Sequence, residues 1–470
     1  MSGERAIRSI AVAGGGIVGL SAALAFARAL PKAEVTVIET APDPLALADT
    51  LPVSLASGAQ FHALLGLDEA GLVKDAIATH FLGTLFEDWS ASREPWWHAL
   101  GPYGKAAGAI PFDQIWVAAE AAGKALPFDR YSVGAALARA GKFIHPAPDS
   151  NFVGSRFAYG LRLDPGPYRR RLRDLAQSAK VQFRSGELVG VDQADGRIEA
   201  LRLDCGDRVA ADLFVDCTGP AALVAGALGD SFEDWSQWLP FGEMDISEGD
   251  GAALPEPADR ARADEQGWTA AWFLPGRTIR ARFGKGSSLI SGRRIEPWTG
   301  NVLAIGDSAT ALDPLHRLNL DLAHNAILLA LELLPGRDFN PVETAEYNRR
   351  AEQVTRRVRD FVALHYLRSG RSDGAWAGAA KVEPPDSLAR TLDQYEHRGR
   401  LPFHEEESIS RDSWAAALIG LGVRPRHVDP QALNVPLEEA AAAMDRLVQD
   451  IDQAVAGVPA YGDYLGRVIR

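Results

Sequence analysis

Three glycines near the start of the chain have the spacing of a nucleotide-binding turn. Gly14, Gly16 and Gly19 follow an apolar stretch that ends at Ala13, and an alanine- and leucine-rich segment begins at Ile17. Glycines at this spacing let the chain turn sharply, let a phosphate approach bare backbone and let a helix lie close to a sheet. The amides at the helix N-terminus then favour an anion. The pattern predicts a dinucleotide site; a tight turn without a ligand is the alternative.

An acidic residue stands where the second strand of such a unit would end. Residues 34–38 are rich in β-branched side chains, and Glu39 follows them. A carboxylate at this place can accept hydrogen bonds from the ribose of an adenosine. Strand, glycine turn, helix, strand and acid together predict a βαβ unit.

Two later stretches favour FAD over NAD as the dinucleotide. Residues 211–219 (ADLFVDCTG) form a hydrophobic run that ends at Gly219, and residues 301–309 (NVLAIGDSA) contain Gly306 and Asp307. Both resemble segments of flavoproteins, in which the aspartate accepts hydrogen bonds from the ribityl hydroxyls of FAD. Each stretch alone is compatible with an ordinary buried strand. Their order behind the glycine motif predicts an FAD site.

Composition excludes some classes of partner. The 470 residues carry a net charge of -13, which argues against binding to nucleic acid or to an anionic membrane. We find no apolar run long enough to span a membrane and no signal peptide, so we expect a cytoplasmic protein. The two cysteines, Cys205 and Cys217, predict neither a disulfide framework nor a metal site.

The order of the predicted elements indicates an α/β fold followed by helices. We expect a Rossmann-type FAD-binding domain over residues 1–335, with substrate-region segments inserted at about 60–150 and 235–290. Residues 336–470 are expected to form a helical cap domain, which includes a predicted helix from Pro341 to Leu367. The polar stretch 243–266 is expected to be a surface excursion.

The chain resembles the flavin-dependent tryptophan halogenases nearly from end to end. The segments that carry the resemblance are GGGIVG at 14–19, ADLFVDCTG at 211–219, Gly267-Trp268-Thr269 with Trp272-x-Leu274-Pro275, PWTGNVLAIGDSA at 297–309, Arg359-Asp360-Phe361-Val362 before His365-Tyr366, and Pro459-x-Tyr461-x-Asp463-Tyr464-Leu465. The resemblance implies an aromatic-hydroxylase-like FAD domain. It also implies a separate flavin reductase that supplies reduced FAD. In the family, halide and oxygen then give hypohalous acid, which a lysine and a glutamate direct onto an aromatic ring.

Both of these catalytic groups are replaced here. Alignment on Trp89 puts Phe81 at the place of the lysine. His80 is adjacent and would supply a nitrogen if the register slips by one residue; a histidine on a helix face is the alternative. The glutamate position is taken by His316, and Asn319 falls within the altered chloride-binding pair. Asn319 tolerates left-handed backbone, so it is also a candidate to approach the flavin.

Each candidate side chain also has a structural interpretation. His316 is the candidate acid–base group, because an imidazole titrates near neutral pH; a structural hydrogen bond is the alternative. Arg317 would bind an acidic substrate group or face solvent. Asp313 would replace the missing carboxylate or set a turn before a proline. Phe81, Trp89 and Trp272 are candidates for an aromatic substrate pocket or for the core.

These observations favour monooxygenase-type chemistry on an aromatic or apolar small molecule, because Asp307 gives the segment the glycine–aspartate form typical of hydroxylases. A halogenase with displaced catalytic groups is the second hypothesis. A flavin- or small-molecule-binding protein without turnover is the third. A homodimer is possible.

Overall fold

The computed structural model describes residues 6–147, 152–229, 231–250, 256–274 and 276–469. Pro275 of the motif quoted above lies outside the described residues. The chain divides into two compact units. Unit 1 comprises Met1–Leu72, Leu163–Ser236 and Leu289–Thr355, and unit 2 comprises Val73–Arg162, Gln237–Ser288 and Arg356–Arg470.

Helices and strands are numbered in chain order. The helices are α1 (Ile17–Ala29), α2 (Leu47–Thr50), α3 (Ala59–Leu64), α4 (Glu69–Lys74), α5 (Phe112–Ala121), α6 (Val133–Ala140), α7 (Pro165–Ser178), α8 (Asn319–Glu332), α9 (Pro341–Leu367), α10 (Trp376–Ala379), α11 (Asp386–Arg398), α12 (Arg411–Gly420), α13 (Leu437–Ala456) and α14 (Tyr461–Val468). The strands are β1 (Ser9–Ala13), β2 (Glu34–Ile38), β3 (Val53–Ser54), β4 (Ala78–Phe81), β5 (Gly83–Glu87), β6 (Trp96–Ala99), β7 (Gly160–Leu163), β8 (Gln182–Arg184), β9 (Leu188–Ala194), β10 (Arg197–Leu203), β11 (Arg208–Ala210), β12 (Leu213–Asp216), β13 (Phe232–Asp234), β14 (Glu243–Asp250), β15 (Asp259–Asp264), β16 (Gly267–Leu274), β17 (Arg277–Phe283), β18 (Ser287–Ser288), β19 (Gly292–Arg294), β20 (Trp298–Thr299), β21 (Val302–Ala304) and β22 (Thr310–Ala311).

Unit 1 is organised around a six-stranded sheet in the order β20-β21-β12-β1-β2-β8. β1 pairs in parallel with β2 on one side and with β12 on the other, and β12 pairs in parallel with β21. Such strands are covered on both faces and therefore read as continuous apolar runs, as β12 and β21 do. Because β1, β2, β12 and β21 run parallel, their carboxyl ends lie at one edge, where open α/β sheets bind ligands.

Helix α1 packs into the interior of unit 1. Its first ten residues are all buried, and its alanines give it a narrow surface that suits close packing. Gly16 is its N-cap residue and supplies no side-chain cap, so the first amides of the helix need partners from elsewhere.

Asp216, the last residue of β12, fixes the turn that follows this strand. One carboxylate oxygen accepts hydrogen bonds from the amide and hydroxyl of Thr218 at 3.0 and 2.7 Å. The other accepts from the amides of Val224 and Ala225 at 2.9 and 2.8 Å. The side chain is fully buried. Its charge is thus matched by several donors, which is the condition for burying a carboxylate without a large cost.

Unit 2 contains a seven-stranded sheet in the order β18-β14-β17-β16-β15-β5-β6. Its core is aromatic: Trp268 on β16 stacks on Phe283 of β17 with ring centroids 3.8 Å apart, and Trp89 meets Trp376 edge to face at 5.2 Å. Aromatic pairs at these distances add to the stabilisation from burial alone.

The prediction of a surface excursion over 243–266 is wrong. This stretch supplies β14 and β15, two strands of the seven-stranded sheet, while residues 251–255 are outside the described part. On β15 the side chains alternate, with Ala261 and Ala263 buried and Asp264 exposed. Asp264 forms an ion pair with Arg282 of β17, so charged residues lie on the outer face of a strand whose inner face is apolar.

Local predictions elsewhere hold more closely. The observed α9 has the predicted bounds, and β2 matches the stretch expected for the second strand. The chain after β10 forms two separate strands, β11 and β12, because β11 pairs with β10 and β12 pairs with β1. Among the described residues, no helix is long and apolar enough to cross a membrane.

We predict that Asp216→Asn lowers the free energy of unfolding by about 2–4 kcal/mol, because an amide group turned toward these donors leaves at least one of them buried and unpaired. Urea unfolding, followed by circular dichroism, measures this change in the free energy of unfolding. The control is Asp192→Asn, which removes a partly exposed partner of Arg208 and should cost about 0.5 kcal/mol or less. Equal losses in the two variants would contradict the assignment.

Candidate functional site

The sequence-predicted cofactor residues meet at the carboxyl edge of the unit 1 sheet. Ala13 ends β1 and Glu39 follows β2, while Gly219 and Gly306 lie shortly after β12 and β21. The serine hydroxyl of Ser308 donates a hydrogen bond to the carbonyl of Gly219 at 3.0 Å, which ties the last two turns together. The four strand ends therefore build one contiguous region of unit 1.

The glycine turn is tight in the way that its sequence predicts. Gly14 has a φ of +121°, and a Cβ atom there would overlap the carbonyl oxygen of Cys217. Its amide donates to the carbonyl of Ile38 at 3.1 Å, so the turn is anchored to β2. Any larger residue at Gly14 would push β1 and β12 apart.

The N-terminus of α1 binds a carboxylate of the protein itself. The amide of Val18 donates to Oδ1 of Asp49 at 2.9 Å, and the amide of Ile17 also faces this side chain. Asp49 lies on α2 and is buried, and burial raises the pKa of its carboxyl group to about 6. This pKa is lowered by hydrogen bonds from the amides of Val18 and Ile17 and by the positive charge of Arg169, which oppose the effect of burial. No sequence motif marks Asp49 as a partner of this helix.

Asp307 lies in the turn directly after β21 and is also buried. Its Oδ2 accepts a hydrogen bond from the amide of Ala48 at 3.0 Å, and its Oδ1 is buried without a hydrogen-bond partner in the described part of the chain. Burial is the main cause that raises the pKa of Asp307 to about 7; the amide of Ala48 lowers it, and the nearby Asp49 carboxyl raises it further.

These groups fit FAD in chemistry. The amides that open α1 suit a diphosphate, and the unpartnered oxygen of Asp307 is an acceptor suited to a ribityl hydroxyl. Glu39 is already engaged, since its carboxylate accepts from the hydroxyl of Ser185 at 3.2 Å and forms an ion pair with Arg173. A ribose at Glu39 would share the carboxylate with these two residues.

Arg169 is a further candidate that sequence analysis missed. It lies on α7, which packs against α1, and its Nε donates to the carbonyl of Gly15 at 2.6 Å. A guanidinium beside the glycine turn adds positive charge where a diphosphate is expected. The signal was present as a run of arginines at 169–171, but the sequence alone could not tell which of them faces inward.

The loop before α8 holds three of the candidate residues in a compact turn. Oδ1 of Asp313 accepts a hydrogen bond from the amide of Leu315 at 2.8 Å. Asp313 therefore sets the turn, which is the structural alternative to a catalytic carboxylate. His316 is half-buried. Arg317 has a φ of +51° and is buried, so the prediction that it faces solvent is wrong. The side-chain amide of Asn319 donates to the carbonyl of Leu312 at 2.8 Å and closes the loop.

His80 lies in unit 2, on strand β4, so the alternative of a helix-face histidine is wrong. It is fully buried and stacks on Phe143 with ring centroids 4.1 Å apart. Its backbone amide donates to the Tyr461 hydroxyl at 2.6 Å, and its Nδ1 lies 3.2 Å from the same oxygen. His80 therefore has a hydrogen-bonding partner within a packed aromatic cluster.

The other unit 2 candidates are buried side chains. Phe81 lies beneath the guanidinium of Arg162, which is 5.9 Å from its ring centroid. The indole of Trp89 donates to the carbonyl of His365 at 2.9 Å and belongs to the aromatic core. Trp272 lies on β16 and is also buried. Their burial agrees with the core interpretation, and a role in a substrate pocket stays a prediction.

No lysine occupies the interior of the described structure. Among the described residues, seven of the lysine side chains are exposed, and Lys142 is partly exposed. The ammonium group of Lys142 donates to the carbonyls of Val455 and Ala456, both at 3.0 Å. An enclosed primary amine is therefore absent from this part of the molecule.

Comparison with known proteins gives a consistent result. A family model described as tryptophan halogenase matches residues 9–287 and 275–436. The chain is 25% identical to the tryptophan 7-halogenase RebH of Lentzea aerocolonigenes, over 95% of this chain and 95% of that protein. Among solved structures, BrvH, a flavin-dependent halogenase from Brevundimonas sp. BAL3, superposes with a TM-score of 0.92 at 29% identity, covering 99% of this chain and 100% of that one. A flavin-dependent halogenase from Xanthomonas campestris has a TM-score of 0.90 at 30% identity, with 98% of each chain covered.

The raised pKa of Asp307 predicts a specific pH dependence. A carboxyl group with a raised pKa keeps a proton in the folded protein that the unfolded chain has already released, so its contribution to stability falls as pH rises through about 7. Asp307→Asn removes this contribution. We expect the variant to gain stability relative to wild type between about pH 5 and about pH 8, on the order of 2 kcal/mol.

Urea unfolding of both apo-proteins across this pH range measures the effect. The difference in stability between the two proteins at each pH is the quantity to compare. Burial lowers the pKa of several histidines, and these histidines make both proteins more stable as pH rises, so their effect cancels in the difference. Two parallel stability curves would show that Asp307 does not titrate as stated.

Proposed function

The chain belongs to the tryptophan halogenase family, and on that premise we propose that it is an FAD-dependent oxidoreductase that inserts oxygen into an aromatic or apolar small molecule. The family assignment confirms the resemblance and the α/β fold class inferred from the sequence. Its cofactor is FAD, as predicted, and it is an enzyme of a flavin-dependent family. Reduced flavin is supplied by a separate reductase.

The absence of an enclosed lysine in the described structure carries the choice of reaction. Phe81 occupies the position at which the family resemblance expects that lysine, and it is buried on β4. A phenyl ring can neither form a haloamine nor donate a hydrogen bond to hypohalous acid. The group that directs halogen onto a substrate is therefore missing at its expected position, whereas the residues suited to flavin binding are present.

Bound and reduced, FAD supplies the activation of dioxygen. The protein's own part is to orient the cofactor and to handle protons. The amides of Ile17 and Val18 and the carboxyl group of Asp307 orient it, and His316 is the group that takes or returns a proton at its imidazole ring. The loop that carries His316 is held by Asp313 and Asn319, so the imidazole is presented from a fixed backbone.

Halogenation with displaced catalytic groups is the second candidate. The observation that favours it is the similarity, over nearly the whole chain, to two solved flavin-dependent halogenases at 29% and 30% identity. His316 and His80 would then supply the nitrogen groups. A homodimer and a cytoplasmic location stay predictions.

Turnover with a substrate panel separates these candidates. The purified protein is supplied with FAD, NADH, an unrelated flavin reductase and catalase, and is offered indoles and phenols with and without bromide. We expect products that contain one added oxygen and form without halide, and mass spectrometry detects them. Products that contain bromine and form only with bromide would establish the second candidate. Tight FAD binding without any product would favour the binding protein without turnover.

Two histidine variants test the proton-transfer role. His316→Gln should lower turnover by about a hundredfold at unchanged FAD affinity, because general acid–base catalysis contributes on this order. His427→Gln replaces an exposed histidine and should leave turnover unchanged. Equal activity of the two variants would remove His316 from the mechanism.

A further inference from the structure

The short segment 46–50 lies across the groups expected to bind the flavin. It begins after a turn in which the amide of Leu45 donates to the carboxylate of Asp43 at 2.8 Å, and it forms the single helical turn α2. Ala46, Leu47 and Ala48 are buried. The segment is thus part of the interior of unit 1, although its ordered length is only one turn.

Two of its polar contacts involve groups expected to bind the flavin. The carboxylate of Asp49 accepts from the amide of Val18 at 2.9 Å. The amide of Ala48 donates to Oδ2 of Asp307 at 3.0 Å. The segment therefore presents an anion to the helix N-terminus and a hydrogen-bond donor to the acid, which are the same roles that a diphosphate and a ribityl hydroxyl have.

The approach at the first contact is close. A Cβ atom on Gly16 would lie 2.5 Å from Oδ2 of Asp49, so the bare backbone that suits a phosphate is already covered by this carboxylate. The amides of Ile17 and Val18 cannot donate to Asp49 and to a diphosphate at the same time. The other oxygen of Asp307, Oδ1, stays without a partner in the described part of the chain, which shows that the segment satisfies this site only in part.

We propose that Asp49 is an internal competitor for the diphosphate of FAD, and that α2 must leave the N-terminus of α1 for the cofactor to bind. The inference rests on the proposed function, since it assumes that FAD uses the glycine turn. Asp49 then sets the affinity of the site, because it occupies the amides that a diphosphate would use and so weakens FAD binding. Such a site exchanges its flavin readily, as an enzyme that receives reduced flavin from a separate reductase requires.

Arg169 is the cation that both anions share. Its Nε donates to the carbonyl of Gly15 at 2.6 Å, and its charge favours the ionised form of Asp49. When the carboxylate leaves and a diphosphate arrives, the guanidinium keeps an anionic neighbour. The exchange thus replaces one anion by another at a fixed cationic position and does not bury an unpaired charge.

The test compares the binding of FAD and of ADP to Asp49→Ala and wild type. ADP carries a diphosphate without the flavin ring. FAD binding is followed by flavin fluorescence and ADP binding by calorimetry. We expect both ligands to bind Asp49→Ala about tenfold more tightly, because the amides of Ile17 and Val18 are then free to donate to a diphosphate.

Asp68→Asn is the matched control. Asp68 is an exposed acid whose carboxylate accepts from the amide of Gly71 at 2.8 Å, away from the glycine turn, and its loss should change neither affinity. Asp49→Asn keeps the side-chain shape and one acceptor oxygen, so it should tighten binding less than Asp49→Ala. Asp49→Asn also tests the competitor role if Asp49→Ala does not fold.

The outcomes are separable. Unchanged or weaker binding of FAD and ADP to a folded Asp49 variant would overturn the competitor role while leaving the flavin site in place. Failure of every variant and of wild type to bind either ligand would overturn the flavin site itself, and the inference with it. Tighter binding of both ligands to a folded Asp49 variant would support the inference.

Discussion

The amides at the N-terminus of α1 need an acceptor, and much of unit 1 is arranged to provide one. Gly16 offers no side-chain cap, and the first residues of the helix are buried, so its first amides need partners from the protein or from a ligand. The parallel strands bring their carboxyl ends to the same edge, so the turns after β12 and β21 lie near this helix terminus. Asp49 is the acceptor for the amide of Val18. The fold thus creates a place for an anion before any cofactor arrives.

Two ways of burying a carboxylate are found in the same unit. Asp216 accepts hydrogen bonds on both oxygens and fixes the turn after β12. Asp307 and Asp49 have fewer donors, and burial raises the pKa of each. The fully bonded carboxylate is structural, whereas the incompletely bonded ones lie where a ligand is expected to bring donors or to displace an anion. At the carboxyl edge of the sheet, this contrast distinguishes a carboxylate that fixes a turn from those expected to meet a ligand.

Local sequence signals predicted those features that depend on neighbouring residues. The glycine turn, β2 and α9 follow from backbone preference and periodicity, and the structure shows them as expected. Asp49 was missed because its partner, Val18, lies 31 residues earlier, and nothing near Asp49 indicates that contact. The inward orientation of Arg169 and the burial of Arg317 likewise depend on packing between distant segments. Strand β15 was missed because its exposed face is charged, which hid the alternation of its buried face.

A crystal structure of the protein with bound FAD tests the account most directly. We expect the diphosphate on the amides of Ile17 and Val18, a ribityl hydroxyl within hydrogen-bonding distance of Asp307, and the carboxylate of Asp49 displaced from the helix. FAD bound with Asp49 still on the amide of Val18 would contradict the account, because the helix terminus would then not be the diphosphate site.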